Sequence, residues 1–205
     1  IGGAFPNGTG YDGIFLNACF HVNLNNLLIQ NFGHDGIWIN FDYCSPIIDH
    51  AAIVKGMDCN ITNTKCLYNG RNGLTWAGGN GLNISNSEFN YSGQGRLTLA
   101  PASGIDIEYE NSTVSNSYGV FDQVKCKYNK FWGMTCNAAE NGTDYFSRNC
   151  TFTNSTFVSS ENGINAIPNS RNFIFNHCTF VGQIQKAFHS RWAPYGIDNY
   201  GQVSI

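Results

Sequence analysis

The sequence predicts an all-β chain wound as a right-handed, single-stranded parallel β-helix, a solenoid of about six to seven coils. Three observations predict it. Asn and Gly account for 28 and 23 of the 205 residues, while the strong helix formers Ala, Leu, Glu and Lys are scarce. A Gly followed by alternating apolar residues recurs along the chain, and alternation at period two marks a strand with one buried face. Upstream of most of these segments a second strand pattern recurs, in which an apolar residue is followed five positions later by Phe or Cys.

The first pattern runs Gly13-Ile14-Phe15-Leu16, Gly36-Ile37-Trp38-Ile39, Gly73-Leu74-Thr75-Trp76, Gly104-Ile105-Asp106-Ile107, Gly133-Met134-Thr135-Cys136 and Gly163-Ile164-Asn165-Ala166. Its spacings are 23, 37, 31, 29 and 30 residues, and Gly196-Ile197-Asp198 is expected to begin a seventh copy. The second pattern pairs Ile61 with Cys66, Ile84 with Phe89, Phe121 with Cys126, Phe152 with Phe157 and Phe175 with Phe180. One such repeat cannot bury its apolar face alone and must stack on its neighbours, which selects a solenoid over propeller blades; the Leu-x-x-Leu-x-Leu frame of leucine-rich repeats is absent. The irregular period and the corner Asn residues, which tolerate left-handed backbone and bond to the Asn of the coil above, favour the right-handed β-helix. One domain spans 1–205, with coils over roughly 10–185 and a C-terminal coil or tail over 186–205.

Charged residues make up only 12% of the chain, the net charge is -3 and the 11 Lys and Arg are scattered, which leaves no basic field for nucleic acid. No apolar run approaches the roughly 18 residues of a membrane span, so no insertion is expected. The chain starts at Ile1, as a processed or excerpted piece would. Its 8 cysteines form no CxxC or CxxxC pair and have no His at zinc-ligand spacing, so neither a metal nor any other cofactor is expected. Cys66, Cys126 and Cys178 fall close to positions where other repeats carry Phe, the placing of free, buried thiols. The 8 Asn-x-Ser/Thr sequons, at Asn7, Asn60, Asn83, Asn90, Asn111, Asn141, Asn149 and Asn154, follow from the abundance of those residue types.

If Ile105 and Ile107 point inward, Asp106 and Glu108 project outward on one face, about 7 Å apart. Stacked repeats set Trp38 and Asn40, Thr75 and Ala77, Asp106 and Glu108, Thr135 and Asn137, then Asn165, in two columns that are polar but charged only at the centre. Two close carboxyls suit general acid and base work, because each perturbs the proton affinity of the other, and their spacing favours inverting glycoside hydrolysis. Glu110 would be a third carboxylate of the row. The long loop 90–103, which carries Arg96, would wall a groove before the acidic strand. Trp38 and Trp132 offer aromatic faces on which sugars stack. Tyr109, Arg71, Lys130 and His34 flank the row and would serve a lyase as base or cation.

The Asn-Ile-Ser-Asn-Ser-x-Phe strand, the Asn-Gly-Leu and Asn-Gly-Ile corners and Gly104-Ile105-Asp106-Ile107-Glu108 resemble the pectate-lyase-like superfamily of right-handed β-helices. Within it the acidic segment looks most like bacteriophage tailspikes and capsular polysaccharide depolymerases, although Tyr109 stands where those proteins often carry Pro. The resemblance implies a homotrimer on a virion tail or otherwise extracellular, which binds bacterial capsule or O-antigen and cleaves it, with Asp106 and Glu108 as acid and base. Trp38, Trp132, Asn40, Thr75, Thr135, Asn137 and Arg96 would contact the glycan. Two other readings stay open: a non-enzymatic trimeric spike or adhesin using the same row, and a secreted polyuronate lyase or epimerase.

Overall fold

A computed structural model describes residues 10–40, 57–108, 116–137, 147–159, 162–166, 170–182 and 186–190. These residues form strands, turns and bends, with no helix among them. Numbered in chain order, the strands fall into three all-parallel sheets. The first comprises β1 (Ile14–Asn17), β4 (Ile37–Asn40), β7 (Leu74–Ala77), β10 (Ser103–Glu108), β13 (Trp132–Asn137), β16 (Asn162–Ala166) and β19 (Lys186–Ser190). The second comprises β2 (Asn23–Asn25), β5 (Cys59–Thr62), β8 (Gly79–Ser85), β11 (Asn116–Asp122), β14 (Ser147–Thr153) and β17 (Ser170–Asn176). The third comprises β3 (Leu28–Gln30), β6 (Lys65–Leu67), β9 (Glu88–Asn90), β12 (Lys125–Asn129), β15 (Thr156–Ser159) and β18 (Thr179–Gly182). The chain visits the three sheets in strict rotation, the order a parallel β-solenoid requires.

The register bears out the repeat read from sequence. Ile14, Ile37, Leu74, Ile105, Met134 and Ile164 stand opposite one another in successive strands of the first sheet. The seventh strand is Lys186–Ser190, whose Phe188 pairs with Ile164. It lies upstream of the expected copy at Gly196, which falls outside the described residues. The recurrent Gly is required by space: a Cβ on Gly104 would stand 2.6 Å from the Cys126 Cβ, and one on Gly73 would stand 2.7 Å from the Phe89 Cβ. At these points the first sheet begins hard against the inner residues of the third.

Inside, each column holds residues of similar shape. Phe121 and Phe152 stack with ring centroids 4.4 Å apart, and Phe152 and Phe175 at 4.8 Å. Cys66 pairs with Phe89 and Cys126 with Phe157, so thiol and ring alternate in one apolar column. Cys178 is the exception: it occupies the turn after β17, where its Sγ donates to Phe152 O, as Ser155 Oγ donates to Phe121 O one coil earlier. The described cysteines form no disulfide, and burial pushes the Cys59 thiol up to about 12, which leaves it an inert apolar group at neutral pH. Cys44 lies outside the described residues.

The corner between the second and third sheets is a single left-handed residue, Asn26, Asn63, Asn86, Gln123, Asn154 or His177, with φ between 45 and 57°. Asn suits this conformation, and its amide continues the stack: Asn86 Nδ2 donates to Asn63 Oδ1 at 2.7 Å and Asn63 Nδ2 to Asn25 Oδ1 at 3.1 Å. A second amide row runs from Asn83 through Asn60 to Asn23 at 3.1 Å per step. Several sequon asparagines therefore serve as links between coils.

Phe152 is fully buried at the centre of the ring stack. Phe152→Ala is expected to lower the unfolding free energy by about 3–5 kcal/mol. Denaturant titration checks this, and a loss below about 1 kcal/mol would show that the stack is not what holds these coils together.

Candidate functional site

In the first three copies of the recurrent Gly, the residue just before it bonds to the coil that follows. Asp12 Oδ1 accepts the Asp35 N–H at 3.0 Å, Asp35 Oδ1 accepts the Asn72 N–H at 2.9 Å, and Asn72 Oδ1 accepts the Ser103 N–H at 2.9 Å. Such a position needs a short side chain with a carbonyl or carboxylate oxygen, which is why Asp and Asn occupy it. Asp12 Oδ1 also bonds His34 Nδ1, whereas Asp35 uses Oδ1 alone for the link and keeps Oδ2 for further contacts.

Those contacts converge on Arg71. Its Nη1 donates to Asp35 Oδ2 at 3.1 Å and its Nη2 to Glu108 Oε1 at 2.7 Å, while Asp106 Oδ2 lies 3.9 Å from Nη2. Its Nε donates to Ala100 O at 3.4 Å, so the long loop before β10 borders the site by holding this arginine in place. Thr75 Oγ1 donates to Asp35 Oδ2 at 2.7 Å, Thr135 Oγ1 to Asp106 Oδ1 at 2.7 Å, and Asn72 Nδ2 to Asp106 Oδ2 at 3.3 Å. Four acids, Asp12, Asp35, Asp106 and Glu108, thus share one polar cluster with Arg71 and His34.

The sequence placed Ile105 and Ile107 inward, and both are fully buried in the core. It also turned Asp106 and Glu108 to water, and for Asp106 this is corrected: Asp106 is 0% exposed. The alternation is right, but the outward face is roofed, because the Arg71 arm reaches along it from the preceding coil. Glu108 keeps partial exposure, with 16% of its side chain accessible. Thr75, Thr135 and Asn40 are likewise buried and face no solvent. Asn137 is placed by its backbone alone, opposite Glu108. Arg96 is exposed on the loop and makes none of the contacts that build the cluster. Tyr109 and Glu110 lie outside the described residues. Trp38 and Trp132 are half-buried and occupy different columns: Trp38 is opposite Phe15 and Thr75, whereas Trp132 is opposite Ser103.

Sequence reasoning named His34 and Arg71 only as flanking residues and did not single out Asp12 or Asp35. His34 Nδ1 lies 2.7 Å from Asp12 Oδ1 and 3.8 Å from Asp35 Oδ2. Its ring is 5.6 Å from that of Trp38, which is in turn 5.3 Å from the exposed ring of Phe15. The signal available was positional: His34 and Arg71 both stand two places before a recurrent Gly, next to an Asp and an Asn. Asp12, His34 and Asp35 offer ligand atoms within 4.8 Å of one another. They fit a metal ion poorly, since Asp12 Oδ1, His34 Nδ1 and both Asp35 oxygens are bonded within the protein and the Arg71 guanidinium already supplies the countercharge beside Asp35.

Burial pushes Asp106 well above the usual carboxylate value, and the neighbouring Glu108 charge pushes the same way, against the pull of Arg71 and Thr135. Burial also raises Asp35, with Arg71 and His34 pulling it back. For His34 burial acts downward, but the bond to Asp12 and the charges of Asp35 and Asp12 outweigh it, and the imidazole ends above its ordinary value. No protein-family model, curated protein or solved structure matches this chain.

Asp35, Asp106 and His34 all bind protons more tightly folded than unfolded. Between each unfolded and folded value the native state holds the extra proton, so their contribution to stability falls as pH rises. The carboxyls act upward from 3.8 and His34 upward from 6.5. The melting temperature is expected to drop between about pH 5 and pH 8, less steeply in Asp106→Asn. Thermal melts across that range check it; a melting temperature that climbs with pH would contradict the assignment.

Proposed function

We propose that this chain is a right-handed, single-stranded parallel β-helix of tailspike type that binds bacterial surface polysaccharide and hydrolyses its glycosidic bonds. The observation that carries the reading is the concentration of chemistry on one sheet. Four of the chain's 14 acidic residues share a cluster with one arginine and one histidine, while the rows of the second sheet carry mainly amides and hydroxyls. Partly exposed Glu108 is the carboxylate of the predicted pair that can meet a sugar. Sealed Asp106 acts behind it, through Arg71, rather than on the glycan. Phe15 and Trp38 present aromatic rings at the end of the same column, suited to the flat face of a pyranose. The protein works as a homotrimer on a virion tail or another extracellular surface, in keeping with the tailspike resemblance.

Elimination chemistry on a uronate fits less well. All three guanidinium nitrogens of Arg71 already have acceptors, and four acids oppose the approach of a further carboxylate. A non-enzymatic spike is the second reading, favoured by one observation: the complete burial of Asp35 and Asp106 makes them read as internal links between coils.

Release of reducing ends from a panel of purified capsular and O-antigen polysaccharides separates the two. Hydrolysis predicts that Glu108→Gln lowers kcat/KM about 100-fold or more while glycan binding persists, and that Asp106→Asn costs less than about tenfold. Undiminished release by Glu108→Gln removes that residue from catalysis, and binding without release by the unaltered chain establishes the spike.

A further inference from the structure

We propose that His34, oriented by Asp12, is the proton donor to the leaving sugar, with Glu108 as the base that activates water; this rests on the hydrolytic reading of the same site. An ionised carboxylate only accepts hydrogen bonds, so the 2.7 Å contact with Asp12 Oδ1 places a hydrogen on His34 Nδ1. Nε2 is then the atom that gains and loses the exchangeable proton, and it has no hydrogen-bond partner among the described residues. The His34 side chain is 23% exposed, whereas those of Asp35 and Asp106 are sealed. The imidazole is therefore better placed than Asp106 to reach a substrate.

The surroundings suit that role. The Trp38 ring beside His34 and the Phe15 ring beyond it form an aromatic surface for a sugar, adjoining the imidazole. The charged groups that face His34 are Asp12 from the turn entering β1, Asp35 from its own turn and Arg71 from the turn entering β7. The two carboxylates raise the proton affinity of the ring and outweigh the arginine. His34 and Glu108 stand at opposite ends of one chain of contacts: His34 to Asp35 at 3.8 Å, Asp35 to Arg71 at 3.1 Å and Arg71 to Glu108 at 2.7 Å. Donor and acceptor are thus fixed in one frame, as two-group acid–base catalysis needs.

In the step, the Glu108 carboxylate takes a proton from water as the water oxygen bonds to the anomeric carbon. The bond from that carbon to the glycosidic oxygen breaks, its electron pair stays on the oxygen, and His34 Nε2 gives that oxygen its proton. The products are two sugar chains and neutral His34 facing protonated Glu108; solvent returns the proton from one to the other. The substrate class is a glycan whose cleaved linkage lies between sugars without a carboxylate at that point, since Arg71 is already paired with Asp35 and Glu108 and the acids of the cluster repel a further one.

The test uses the full chain and the same polysaccharide panel. His34→Gln is expected to lower kcat about 100-fold or more. Asp12→Asn is expected to move the alkaline limb of the rate profile to lower pH, because the imidazolium loses its carboxylate. Imidazole nitrogen NMR on the unaltered protein is expected to show Nδ1 protonated throughout and Nε2 titrating; it decides the matter should His34→Gln fail to fold. Full activity in His34→Gln beside an inactive Glu108→Gln overturns the histidine and leaves the hydrolase standing, as does a neutral ring protonated on Nε2. No release by the unaltered chain from any polysaccharide overturns both.

Discussion

Among the described residues, each strand side chain is assigned its neighbour by the coil spacing. Strands of successive coils lie about 4.8 Å apart in fixed parallel register, so a residue meets the residue at the same position one coil above and one below. Whatever stands there must tolerate its own kind or be matched to it. Rings stack on rings, as Phe121, Phe152 and Phe175 do, because offset aromatic faces fit that separation. Amides donate to amides, as Asn60 and Asn83 do, because an amide is donor and acceptor at once. The abundance of Asn and the shortage of charge are two consequences of one spacing.

Acids are the residues that this rule should exclude, since stacked carboxylates repel and their burial leaves charge unsolvated. The cluster on the first sheet shows how the exclusion is lifted. Asp12 and Asp35 stand in neighbouring coils, each spends one oxygen on the backbone of the next coil, and the surplus charge is met from the side by Arg71 and His34. Burial and the Glu108 charge raise the proton affinity of Asp106, which lessens the cost of placing an acid there. The same arrangement that makes the charges bearable brings a guanidinium, an imidazole and four carboxyls within contact of one another. Structural compensation and chemical opportunity are here one geometry.

The fold was legible because its determinants are local. Alternation put Ile105 and Ile107 inside, and the recurrent Gly marked where the first sheet starts, even though the reason for Gly, the closeness of Cys126 and Phe89, involves another sheet. The site was less legible because its determinants come from other coils. Strand alternation says which way Asp106 points but not what roofs it, and Arg71 reaches Glu108 across 37 residues of sequence. Cys178, expected close to the Phe positions, is a free thiol packed against the core, but the turn it occupies needs a donor to Phe152 O, a role filled one coil earlier by Ser155. The seventh strand escaped because Lys186–Ser190 contains no glycine.

At Asp35 one carboxylate oxygen serves the fold and the other the charge, while Asp12 serves both through Oδ1; in either case the two functions are separable. Asn72 shows this within the chain: it occupies the position of Asp12 and Asp35, accepts the Ser103 N–H through Oδ1 as they accept theirs, and carries no charge. The link between coils therefore needs only the oxygen that Asp and Asn share. An acid at positions 12 and 35 is more than that link requires, and its extra consequence is electrostatic: it raises the proton affinity of His34 and pairs with Arg71, which also bonds Glu108. A purely structural column is satisfied by amides, as the row from Asn83 through Asn60 to Asn23 is. The acids concentrate where an imidazole and a guanidinium stand within reach of aromatic rings, and this coincidence of charge, proton carrier and sugar-sized apolar surface is what separates the first sheet from the other two.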